Sequence, residues 1–82
     1  MITHVAIKYN GTIYSLPAPN RHHDVIRMIG GISGPDVQGF LTDKKHFLNR
    51  EQAFIHAQFH GQVKPRGTNE YNGNELYSED LW

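Results

Sequence analysis

The chain has no cysteine, no surplus of charge and no long apolar run, and each absence removes a class of protein. Without cysteine there are no disulfide staples, thiolate zinc sites or cysteine nucleophiles. Eight Lys/Arg against eight Asp/Glu leave a formal charge of zero. That argues against a duplex-binding protein, which normally carries a clear basic excess. It also gives little electrostatic reason for membrane-surface binding. Apolar runs of only a few residues exclude a transmembrane helix and a signal-peptide core. Eighty-two residues provide for one small domain. What is present in excess is histidine, at six residues.

The zero charge is a cancellation. Residues 1–50 carry six basic side chains (Lys8, Arg21, Arg27, Lys44, Lys45, Arg50) against Asp24, Asp36 and Asp43. Residues 51–82 carry Lys64 and Arg66 against Glu51, Glu70, Glu75, Glu79 and Asp80. A basic front and an acidic tail can pair with each other, within or between subunits, or the front can hold a local anion site.

Element signals give the order ββαββα plus a tail. Residues 3–16 form a hairpin: strand-like runs flank Asn10-Gly11, the pair that a type I′ turn demands. In that register Tyr9 faces Thr12, Ile7 faces Tyr14, and Val5 faces Leu16. Pro17 and Pro19 stop the second strand. Asn20 is the expected N-cap of a helix over 20–30, with Val25, Ile26 and Ile29 on one stripe and His22 beside them. Gly30-Gly31 ends it. Two short strands lie within 38–48, around Asp43-Lys44. A second helix covers 49–60, opened by Asn49 with Gln52 at N3 and closed by Gly61. The tail, 62–82, is polar until Leu76-Tyr77 and Leu81-Trp82. The expected fold is a single α+β domain, a small antiparallel sheet packed with two helices.

Arg21-His22-His23 opens the first helix with the wrong sign. The N-terminus of a helix carries about +0.5 of dipole charge and unpaired N–H groups, and acidic residues normally collect there. A docked anion would reconcile the sequence with the dipole, held by backbone N–H groups, Arg21 and one or both histidines. The alternative is structural: Asp24 neutralises Arg21, His22 packs on the apolar stripe, and His23 faces solvent. Lys64-Pro65-Arg66-Gly67 is a second basic turn, able to add a cationic contact. Trp82 and its apolar neighbours either complete the core or offer an aromatic platform. His56 and His60, four apart on a helix, suggest a metal, with His46, His22 or His23 to complete the set. Ala57 stands where a zincin has its glutamate, and no third ligand is fixed, so no metal is expected. A phosphodiesterase using His22 or His23 as base lacks a supporting carboxylate pair or nucleophile motif.

The strings Ser15-Leu16-Pro17-Ala18-Pro19-Asn20-Arg21-His22-His23-Asp24-Val25-Ile26, Gln38-Gly39-Phe40-Leu41-Thr42, Phe47-Leu48-Asn49-Arg50-Glu51-Gln52-Ala53 and Leu76-Tyr77-Ser78-Glu79-Asp80-Leu81-Trp82 resemble, in this order, a set of small phage proteins. Those look related to the sponges that phages use against CBASS and Thoeris immunity. The resemblance spans nearly the whole chain. It implies a homo-oligomer in the host cytoplasm that binds a cyclic oligonucleotide or cyclic ADP-ribose isomer between protomers and does not cleave it. It also implies phosphate contacts from an arginine at the start of the first helix, here Arg21, and from a basic residue of the C-terminal region, for which Arg66 is the candidate. With Asn20, His22 and His23 beside Arg21, and Tyr14 or Tyr77 stacking on a base, this is the expected site. No catalytic residue, metal or cofactor is expected. The alternatives are a small phosphodiesterase using His22 and His23, and an inhibitor that binds a host protein through the Trp82 tail.

Overall fold

A computed structural model describes residues 1–31, 33–34, 36–63 and 75–82. Four strands and two helices follow in the expected order: β1 (Ile2–Tyr9), β2 (Thr12–Pro17), α1 (His22–Ile29), β3 (Asp36–Thr42), β4 (Phe47–Asn49) and α2 (Arg50–Phe59). A short 3-10 helix, Ser78–Asp80, lies near the end. The sheet is antiparallel with strand order β2-β1-β3-β4. The fold is α+β, and no described helix is long and apolar enough to cross a membrane.

The hairpin turns on Asn10 and Gly11, both left-handed at φ 52° and 78°. Its register pairs Val5 with Leu16, Ile7 with Tyr14 and Tyr9 with Thr12, as the alternation requires. β3 then joins the free edge of β1, placing Phe40 opposite Val5 and Gly39 opposite Ala6. Because β1 is antiparallel to both neighbours, β2 and β3 run parallel with β1 between them. The β2–α1–β3 crossover is therefore a split βαβ unit.

Both helices contribute to a single core. Val5, Ile7 and Phe40 from the sheet meet Val25 of α1 and Ala53, Phe54 and Ala57 of α2. Leu76 is fully buried among them, with Leu81 and Trp82 packed at the margin. The end of the tail thus completes the core. At about 25 cal/mol per Å² of apolar surface buried, a residue such as Leu76 contributes roughly 2 kcal/mol.

Several boundaries differ from the sequence expectation, the hairpin's among them, since its strands begin at Ile2 and run through Pro17. Helix α1 begins one residue later than an Asn20 cap requires: Arg21 is the N-cap, and the Asp24 carboxylate accepts its backbone N–H at 2.8 Å. Asn20 instead donates from its side-chain amide to the Pro17 carbonyl. The strands predicted within 38–48 occupy 36–42 and 47–49. Lys45, left-handed at φ 67°, turns the chain between them. Asn49 belongs to β4 and caps α2 with its side chain. Asn49 Oδ1 accepts from Gln52 N, and Gln52 Oε1 accepts from Asn49 N, the reciprocal box read from the sequence. Gly61 N donates to Gln58 and Gln62 N to Ala57, which closes α2 in a Schellman motif.

Candidate functional site

Arg21 sits where β2 hands over to α1, and its guanidinium reaches the chain's last residues. Nη1 lies 3.5 Å from Ser78 Oγ, and Nη2 donates to the main-chain oxygen of Trp82. The Trp82 indole N–H in turn donates to the Asn20 carbonyl at 2.8 Å. Asn20, Arg21, Ser78 and Trp82 therefore form one corner, assembled from segments some sixty residues apart. The helix dipole at this end is met by Asp24. Its Oδ2 caps Arg21 N, and its Oδ1 lies 3.5 Å from both His23 Nε2 and Arg27 Nη1.

The two adjacent histidines part company. Successive residues on a helix are separated by about 100°, so one ring can face the sheet while the next faces water. His22 is buried at 7% exposure, edge-on to Phe40 at 4.9 Å, with Nε2 2.7 Å from the Gly39 carbonyl. A carbonyl only accepts, so Nε2 carries the proton. His23 is exposed. The structure thus brings Asn20 and Arg21 to the tail, places His22 in the core, and leaves His23 at the surface beside Asp24.

Tyr14 is half-buried and packs against the core from β2. Tyr77, next to Ser78, lies under the Arg50 guanidinium at 4.7 Å and donates from its hydroxyl to Glu75. Arg66 lies outside the described residues. Family comparison covers the full chain: the model described as "Phage T4 y16D protein" matches residues 1–82. The chain belongs to that phage family. No curated protein and no solved structure matches it.

Arg50 lies outside the site residues that the sequence of this phage protein singles out. As the first residue of α2, it donates to Gln38 Oε1 at 2.6 Å and accepts Leu76 N–H at its carbonyl. Its buried Nε has no partner among the described residues. With Asp36, Val37, Gln38, Asn49, Glu51 and Glu75 it lines a cavity of ≈ 430 Å³. The available signal was an arginine in the first turn of α2, the same mismatch with the helix dipole that marks Arg21. Gln38 and Tyr77 converge on it through tertiary structure alone.

Proposed function

We propose that this phage protein sequesters a phosphate-bearing cyclic nucleotide signal in the host cytoplasm, without cleaving it, and so deprives CBASS or Thoeris defence of its messenger. One observation carries the reading. The arginine at the start of α1 is held at a part-buried corner by oxygen acceptors of the C-terminal segment. Arginine's planar fork suits phosphate oxygens, and the fork already holds a main-chain oxygen there. A ligand phosphate would take a place of that kind. Tyr77 lies next along the chain from Ser78 and offers an aromatic surface for a base.

Retention is favoured over hydrolysis by the separation of His22 from His23. A general base needs an imidazole nitrogen within reach of the substrate. His22 is in the core on the Gly39 carbonyl, which makes it a support for α1. Arg66 would supply a second cation, with the site completed between protomers of a homo-oligomer. An 82-residue core gains stability from such association.

Calorimetric titration with cyclic di- and trinucleotides and cyclic ADP-ribose isomers tests the proposal. Saturable binding of at least one ligand is expected, lost in Arg21→Ala and partly kept in Arg21→Lys. Equal binding by Arg21→Ala would remove Arg21 from the site. No binding across the panel would favour an inhibitor that contacts a host protein.

A further inference from the structure

Three histidines that the proposed site does not use gather toward the C-terminal end of α2. His46, from the turn between β3 and β4, joins His56 and His60 around a cavity of ≈ 500 Å³, with Met1, Thr42, Asp43 and Lys44 completing the lining. His56 and His60 lie one turn apart, with ring centroids at 4.4 Å, and Phe59 stands edge-on to His60 at 5.5 Å. His56 Nε2 is buried without a hydrogen-bond partner among the described residues. An unpaired buried imidazole nitrogen is costly and asks for an explanation.

The charge around the cavity indicates the sign of a ligand. Lys44, three imidazoles and the Met1 amino group face a single carboxylate, Asp43, which already pairs with that amino group at 3.1 Å. Ammonium groups at the rim repel a metal cation. Among the described residues, no three His, Asp or Glu side chains converge as metal ligands. An oxyanion suits the same lining, since a charged imidazole and an ammonium are both strong donors to it.

We propose that this His46–His56–His60 cavity is an anion site, separate from the Arg21 corner, that takes a phosphate-type oxyanion. The anion accepts from His60 and Lys44 at the rim and draws a proton onto His56. In its absence, burial, the neighbouring His60 and the Met1 amino group all oppose charging His56, while Asp43 favours it weakly. Binding therefore strengthens as the pH falls through the histidine range, with Met1, Asp43, Lys44, His46 and His60 the charged or titratable groups around His56.

Long-range proton–nitrogen spectra of the full chain, titrated with pyrophosphate, follow each imidazole separately. Saturable shifts of the His56 and His60 resonances are expected at pH 6, together with a rise in the His56 titration midpoint. Binding should weaken by about tenfold in Lys44→Gln, the loss of one charge-assisted contact. His60→Ala, at an exposed position, should lose the response, while Arg21→Ala should keep it. The proposal is overturned if the shifts are absent, if His4 shifts equally, or if Arg21→Ala abolishes them. It is also overturned if zinc, and not pyrophosphate, moves the two resonances.

Discussion

The Arg21 guanidinium donates to the main-chain oxygen of Trp82 across a separation of 61 residues. The contact joins the opening of α1 to the end of the chain, and the Trp82 indole returns a hydrogen bond to the Asn20 carbonyl. The proposed ligand corner and the docking of the tail thus depend on the same residues.

Trp82→Phe keeps an aromatic ring but removes the indole donor. A net hydrogen bond is worth about 1 kcal/mol, and a loss of that order in denaturant unfolding is the expected result. Trp82 is the chain's single tryptophan, so its fluorescence reports on this corner directly. A ligand that engages Arg21 should shift the emission. An unchanged spectrum at saturation would place the ligand elsewhere.

His22 and His23 are adjacent but should respond very differently to truncation. His22→Ala empties a buried position and removes a hydrogen bond to the Gly39 carbonyl, at an expected cost of about 2–4 kcal/mol. His23→Ala changes an exposed side chain, and a change within about 0.5 kcal/mol is expected. Thermal unfolding of the two variants separates a core role from a surface one.

Much of this architecture was legible because it is local. Asn10-Gly11 fixed the hairpin register, and Asn49 with Gln52 marked the start of α2, since in each case the partners lie within a few residues. The pairing of β3 with β1 depends on contacts more than twenty residues apart, and no local pattern encodes it. The cap of α1 is Arg21 and not Asn20, because Asp24 at N3 accepts the Arg21 N–H while the Asn20 side chain turns back to the Pro17 carbonyl. The sequence did mark Arg21 as misplaced at a helix N-terminus, and it raised both fates for His22. It held no signal that Ser78 and Trp82 would meet Arg21, or that Arg50 would lie over Tyr77.

Gly39 should tolerate no side chain. A Cβ there would meet the Leu48 carbonyl oxygen, and it would come within 2.8 Å of the Phe47 ring. Overpacking against backbone typically costs 1–3 kcal/mol or more, so Gly39→Ala should unfold at least about 1 kcal/mol more easily than the native chain. Equal stability in urea would show that β4 is free to move aside.

His56 links stability to pH. Burial and His60 hold its pKa below the ordinary 6.5, so the unfolded chain takes up this proton first as the pH falls. Its contribution is present in full above 6.5 and declines below that value. His56→Gln should therefore show a flatter dependence of Tm on pH between about 7.5 and 5.5 than the native chain. A parallel dependence would mean that His56 titrates alike in both states.

Retention without turnover is the central claim, and what the protein releases tests it most directly. The native protein is incubated with the cyclic nucleotide panel, separated from free ligand and denatured, and the released material is identified by mass. Intact ligand in stoichiometric amount is predicted, with none carried by Arg21→Ala. Recovery of a cleaved or linearised product, or of no nucleotide at all, would contradict the account.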